Sequence, residues 1–290
     1  MAVNHPMDNA DNVHYDIMMT REPIDDLGTP VALASPVRRV VSLVPSLTEA
    51  IASVRPEAII AATDWCTYPA DLDVQRIRGT KNPDTRTIIA LQPDLVIANQ
   101  EENREIDVRR LRDAGVPVWV TRIESVREAL TSMRRMLEEA LDWPVPGWLV
   151  EAEAIWAAPP AVTGPLVAAV IWRDPWMVVG RDTFAGDLLE SLGCRNAFAD
   201  HADRYPKVSV AELDAMGLDA VLLPDEPYVF SPTDGPEAFT ATPTVLFSGR
   251  LLTWYGPSLV QARALLDEVE LLHSGEPGPS GPVEPPQPLV

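Results

Sequence analysis

Glu101, Glu102 and Glu226 stand in two acidic stretches, Asn99 to Asn103 and Asp225 to Pro227, each following a short apolar run. Two carboxylates held face to face bind a cation or share acid–base work. Spread over solvated loops they do neither, and solvated loop charge is the expected reading. Arg173 and Arg181 carry planar guanidiniums, which match a ligand carboxylate or phosphate bidentately. Asp174 and Asp182 lie beside them as ion-pair partners, so both readings stand. Ser46 has no Gly-x-Ser-x-Gly around it and no histidine in its motif, which favours a capping hydroxyl over a nucleophile. Cys66 is of the right type for an axial thiolate on a haem or a cobalt, although an inert small residue is expected there. Cys66 and Cys194 are too distant in sequence to imply a disulfide. His5, His14, His201 and His273 are too scattered to make a zinc or iron site. No catalytic residue and no metal ligand is assigned.

These groups need elements to position them. In RVVSLVPSLTEA (39–50) the run Val40 to Val44 predicts a buried parallel strand. Ser46 to Glu49 then predicts a capping box opening a helix through Val54. A strand feeding straight into a helix aims free backbone N–H groups at the sheet's carboxyl edge, where α/β proteins bind ligands. Before it, Asp25-Asp26-Leu27-Gly28 predicts a hairpin turn. After it come a strand over 57–63, a helix over 84–91 capped by Asn82 and opened by Pro83, a strand over 93–98, a helix ending at Gly115 and a strand over 117–121. Ser125 to Glu128 predicts a second capping box. Its helix runs to about Leu141, breaks at Pro144 and Pro146, and resumes over 148–158.

The second half repeats the grammar of the first. A strand over 167–172, a helix capped by Asp182 and closed by Gly193, and a third capping box at Ser209 to Glu212 follow in order. Pro93-Asp94 before an apolar strand and Val116-Pro117-Val118 after it are matched by Leu218-Asp219 and Thr242-Pro243-Thr244. The fold class predicted is α/β: two Rossmann-like lobes with parallel or mixed central sheets, bridged by a helical connector, with a ligand cleft between them. The divisions are 1–20 disordered, 21–123 the first lobe, 124–160 the connector, 161–273 the second lobe and 274–290 a disordered Pro/Gly tail.

Of 290 residues 46% are hydrophobic, enough for real cores, and the net charge of −20 argues against nucleic acid or an anionic membrane as partner. No apolar run approaches the roughly 18–20 residues of a membrane span. The polar, acidic first residues lack the basic start and apolar core of a secretion signal, so a cytoplasmic protein is expected.

RVVSLVPSLTEA, the loop DWCTYP, GTKNPDTRTIIALQPDLVIA, GRDTFAGDLLESLGCRNAFAD, YPKVSVAELDAMGLDAVLLP and SGRLLTWYGPSL occur in this order. Together, over about residues 21–270, they resemble the substrate-binding proteins of ABC importers for cobalamin, iron–siderophore and haem, with the aromatic loops most similar to the cobalamin-binding branch. The resemblance implies a rigid clamp holding a flat metal complex between lobes, without bond-breaking chemistry. Its ligand-contacting loops match Trp65 and Tyr68 in the first lobe, Trp172 and Trp176 in the second, and Trp254-Tyr255 in the closing loop. These aromatics sit at strand ends beside Pro and Gly rather than at core periodicity, and such rings pack on planar ligands. Trp143, Trp148 and Trp156, in the connector, are read as core. The polar ligand-binding candidates in the same loops are Lys81, Asn82, Glu101, Glu102, Asn103, Arg173, Arg181, Glu226 and Arg250, with Tyr228 beside them.

No cofactor is required on this reading; a corrinoid, or another metal chelate such as a siderophore complex or haem, enters as ligand. The partner is that small molecule. The resemblance also implies an ABC permease, docked through one acidic side chain per lobe. Arg86 and Ala211 stand at those positions, with Glu212 beside the second, which counts against such docking. Two alternatives are an exported importer component whose true start lies upstream, and an enzyme that reuses the cleft carboxylates.

Overall fold

The structure, a computed structural model, describes residues 20–265. The predicted disorder of 274–290 and of nearly all of 1–20 lies outside the described residues. The chain enters as the predicted hairpin: β1 (Thr20–Arg21) pairs antiparallel with β2 (Leu33–Ala34), and Gly28 in the turn has φ +79.

Five strands form the first sheet: β3 (Val40–Ser42), β4 (Ile59–Ala62), β5 (Gln75–Arg76), β6 (Leu95–Asn99) and β7 (Val118–Thr121). All pair parallel, in the order β5-β4-β3-β6-β7. Helices α1 (Pro45–Ala52), α2 (Thr85–Leu91) and α3 (Glu105–Asp113) make the crossovers. The connector is α4 (Val126–Arg135), which passes into a π-helical turn (Met136–Leu141), and α5 (Gly147–Ile155).

The second sheet holds β8 (Leu166–Trp172), β9 (Met177–Val178), β10 (Arg195–Asn196), β11 (Ala220–Pro224) and β12 (Thr244–Phe247). The order β10-β8-β11-β12 is parallel and β9 lies antiparallel on β8, so this lobe is mixed. Helices α6 (Phe184–Ser191), α7 (Val210–Ala215), α8 (Gly249–Thr253) and α9 (Ser258–Gln261) complete it.

Alternation along β8 and β11 sorts the second core. Val167, Ala169, Ala220 and Leu222 join an apolar core continuous with that of the first lobe. Ala168, Val170, Val221 and Leu223 face a separate cluster. A sheet buried on both faces reads as an unbroken apolar run, which is why both strands were legible. Trp143 and Trp156 are buried in the connector and donate to the carbonyls of Val37 and Leu259 at 3.2 and 3.0 Å, as a core role requires.

Three predicted caps move. Pro45, pre-shaped for the first helical position, starts α1 two residues early, so Val44 is the N-cap and Ser46 caps nothing. At α2 the cap is Asp84, whose carboxylate accepts from the Thr87 N–H at 3.2 Å; a charged acceptor suits a helix N-terminus better than the Asn82 amide. At α6 Thr183 accepts from the Gly186 N–H at 3.1 Å, while Asp182 stands outside the helix at φ +51. Ser125 caps α4, but Glu128 reaches back to the Glu124 N–H instead of its own N-cap; only Ser209 and Glu212 form the full box. Thr183→Ala should therefore cost about 1 kcal/mol in a denaturant melt, whereas Asp182→Asn should cost less than about half of that. The reverse order would restore Asp182 as the cap.

Candidate functional site

Each parallel strand delivers the loop after it to the carboxyl edge of its sheet. The two edges meet: Glu49 and Glu101, from the first lobe, reach Arg250, Arg204 and Tyr205 of the second.

At the first meeting point the starting position of α1 decides which way Glu49 faces. With Val44 as N-cap, Glu49 lies in the second turn, and its carboxylate pairs with Arg250. The Arg250 guanidinium also lies over two rings, 4.9 Å from the centre of Tyr68 and 5.8 Å from that of Trp254. Tyr68 meets Trp254 edge-on, with centroids 5.6 Å apart. Glu226 belongs to the same group. Burial, then the neighbouring Asp225, push its carboxyl up to about 7, against the pull of Arg250. Burial also raises Glu49, which its bond to Arg250 opposes. Glu49 Oε2, Glu226 Oε1 and Arg250 Nε are buried without a hydrogen-bond partner. Gly249 allows this proximity, since a Cβ there would stand 2.4 Å from the Glu226 carbonyl oxygen.

The second meeting point is centred on Glu101. It accepts from Arg204 Nη2 at 3.0 Å and from the Tyr205 hydroxyl, and its carbonyl accepts from Lys81. Glu124 stands 3.8 Å from the same guanidinium. Burial raises the Glu102 carboxyl, with Lys81 opposing and Glu101 adding to the rise. Tyr255 is buried, edge-on to Phe184, and burial followed by the charge of Glu102 pushes its hydroxyl far up.

The remaining candidates form a third group inside the second lobe. Trp172, 44% exposed, meets Tyr228 edge-on at 5.7 Å. Trp176 stacks on Phe230 at 5.9 Å and meets Phe239 edge-on at 5.5 Å. Arg173 pairs with Asp234 and with Glu237 at 2.6 Å, and Arg181 with Asp182 at 2.7 Å. Trp176 thus packs with the apolar cluster on the outer face of β8 and β11. Trp176→Ala should cost about 3 kcal/mol of stability by chemical denaturation. A loss below about 1 kcal/mol would place the ring outside the core.

Some candidates serve the fold. Asn103 is buried, accepts from the Asn99 N–H at 2.9 Å and donates to the Thr80 carbonyl at 3.0 Å. Asn82 and Trp65 both lie against Gly79, and Trp65 is 66% exposed. Cys66 is buried, with the Thr48 and Thr63 hydroxyls 3.0 and 3.1 Å from its sulfur, and burial pushes the thiol up, as an inert residue requires. Glu101 and Glu226 take different partners and form no pair. Reading the sequence missed Glu49, Arg204 and Tyr205. Glu49 was masked by its fit to a capping box, and Arg204-Tyr205 lies in an irregular loop where periodicity carries no signal.

No family model matches the chain. In sequence it is 26% identical over 186 residues to the vitamin B12-binding protein of Vibrio parahaemolyticus serotype O3:K6, covering 61% of this chain and 67% of that one. In structure it is similar to the periplasmic vitamin B12-binding protein BtuF of Vibrio cholerae, with a TM-score of 0.65, 17% identity, and coverage of 82% and 98%. It is also similar to the periplasmic haem-binding protein RhuT of Roseiflexus sp. RS-1, with a TM-score of 0.69, 22% identity, and coverage of 81% and 99%.

The fold is that of the two-lobed periplasmic binding proteins. The resemblance read from the motifs, to substrate-binding proteins for cobalamin, haem and iron, is borne out. The cytoplasmic expectation is not: these structural neighbours are periplasmic proteins, and the composition of the first residues was the wrong guide. Among the described residues no helix is long and apolar enough to cross a membrane.

Proposed function

We propose that this protein binds a small planar metal chelate between its lobes without transforming it, and that the ligand is a corrinoid. The reading is carried by exposed aromatic rings at the carboxyl edges of both sheets: Trp65 and Tyr68 on one, Trp172 on the other. Such rings gain dispersion and apolar burial from a flat guest. Kinship with vitamin B12-binding proteins supports the choice of corrin. The carboxylates of the two meeting points are engaged by arginine, tyrosine and burial rather than paired for acid–base work, which supports binding over catalysis.

Titrating the purified chain with cyanocobalamin and with haemin, read by tryptophan quenching, tests this. Binding of cyanocobalamin at micromolar concentration or below, about −8 kcal/mol, is expected. No binding of cyanocobalamin would overturn the corrinoid reading, and no binding of either would overturn the chelate reading.

A permease remains part of the proposal as the partner that receives the ligand. Its contact on the first lobe would have to be acidic. Arg86 lies in an open hollow of about 530 Å³ lined also by Arg78, Arg104 and Arg110, with Asp84 and Asp107 engaged inward. A basic docking residue would be repelled there.

A further inference from the structure

Helices α2 and α3 pack together in the first lobe, and the open hollow of about 530 Å³ lies at their amino ends. It has the size of a small-molecule site, and its walls are basic. Arg78, Arg86, Arg104 and Arg110 line it against Asp84 and Asp107. Four guanidiniums against two carboxylates leave a positive excess, in a chain whose net charge is −20.

Both acids are already engaged, and one of them fixes the cations in place. Asp107, only 2% exposed, accepts from Arg104 Nε at 2.8 Å on one oxygen and from Arg110 Nη1 at 3.1 Å on the other. The spacing 104, 107, 110 sets the three along one face of α3, so a buried carboxylate anchors two exposed guanidiniums. Asp84 gives one oxygen to the Thr87 N–H as the cap of α2, and its other stands 3.8 Å from Arg78. Arg86 is exposed, and among the described residues its side chain has neither an acid nor a hydrogen bond. Arg104 Nη1 and Arg110 Nε and Nη2 are likewise unused.

Guanidinium edges left in this state match the oxygens of a phosphate or a carboxylate, and such charge-assisted bonds are the strong ones. A neutral or cationic guest gains nothing from them. A dianion cancels the local excess, whereas a monoanion leaves half of it. The acidity of the whole chain opposes any anion, but at physiological salt charges are felt over about 8 Å, so the four arginines dominate inside the hollow. A lipid phosphate headgroup offers the same chemistry. It comes on an anionic surface that the acidic chain would meet as a whole, which favours a free anion.

We propose that this hollow is a second ligand site, independent of the chelate reading, for a small dianionic oxyanion of the phosphate class held by Arg86 together with Arg104 and Arg110.

The test titrates inorganic phosphate and pyrophosphate into the full chain at pH 8 by calorimetry. One site per chain is expected, with a Kd of about 1 mM for phosphate and about tenfold tighter for pyrophosphate. Raising the salt from about 50 to about 500 mM should weaken both about tenfold. Arg86→Ala removes a guanidinium that bonds nothing in the fold. It should weaken phosphate binding about tenfold, the usual worth of one charged hydrogen bond, with the denaturant midpoint unchanged. Arg86→Glu should abolish binding. Arg127→Ala, which removes an exposed arginine on α4, should leave it as it is. Phosphate binding that survives Arg86→Glu, or that Arg127→Ala weakens equally, would overturn the site. So would an absence of binding at about 10 mM phosphate. Co-sedimentation of the chain with phosphatidylglycerol vesicles, lost in Arg86→Glu, would overturn the free anion in favour of a headgroup. None of these results touches the cyanocobalamin titration, so the two readings fail separately.

Discussion

Replacing Arg250 with methionine should lower the stability of the folded chain by about 3–5 kcal/mol, the usual cost of stripping one partner from a buried ion pair. Arg250 and Glu49 are about equally shielded, at 13% and 12% side-chain exposure. Removing the cation leaves the Glu49 charge in a poorly solvated setting, with Glu226 nearby to repel it, and takes away the face-on contacts to Tyr68 and Trp254. Chemical denaturation of the single variant and of Arg250→Met with Glu49→Leu checks the cause. The double variant should recover most of the loss, since an apolar pair of similar volume replaces an ionic one at little net cost. A double variant as unstable as the single one would mean that the aromatic contacts, rather than the charge, hold the lobes together here.

The second large effect concerns pH. Glu226 ionises at about 7 in the folded chain, well above its ordinary value of 4.5. In the raised state folding takes up a proton between those two values, so the chain is more stable on the acid side. This advantage is complete below about 4.5 and is lost as pH rises through about 7. Glu226→Gln cannot ionise and should escape the loss. Its gain over the wild type should approach about 3 kcal/mol at pH 8, the upper bound set by the size of the shift. It should fall to below about 1 kcal/mol at pH 5 and vanish only below about pH 4. Denaturant midpoints of both chains across pH 5–8 read it directly, and parallel curves would show that the carboxyl is not held up.

Much of the fold was legible because its strands are short apolar runs punctuated by proline and glycine. Val40 to Val44, Leu95 to Ala98 and Val167 to Trp172 are long enough to reach the core and too short to be buried helices. Gly193 and the Ser209 box marked a helix end and a helix start for local reasons that tertiary packing had no cause to override. The two-residue strands Gln75–Arg76 and Arg195–Asn196 left no trace, since polar edge strands carry no apolar period. The aromatic candidates were found by type and position at strand ends, but type does not say whether a ring faces a gap or its own lobe. Trp65 is open to solvent, whereas Trp176 is stacked on Phe230. Glu49 was unreadable because a serine three residues before a glutamate suggests a cap, and only the preceding proline shifts the helix start.

The strap Gly249–Gln261 leaves the second sheet and ends on the first half of the molecule, where the Leu259 carbonyl receives Trp156 and the site of a Cβ on Gly256 lies 3.2 Å from the Ser46 carbonyl oxygen. A chimaera that joined this first half to the second half of a relative would therefore import a foreign buckle along with the foreign lobe. Its fate would turn on whether the incoming buckle carries an arginine for Glu49 and enough apolar surface for the groove beneath it. Halves should be exchanged with the strap kept native, so that the interface travels as one piece.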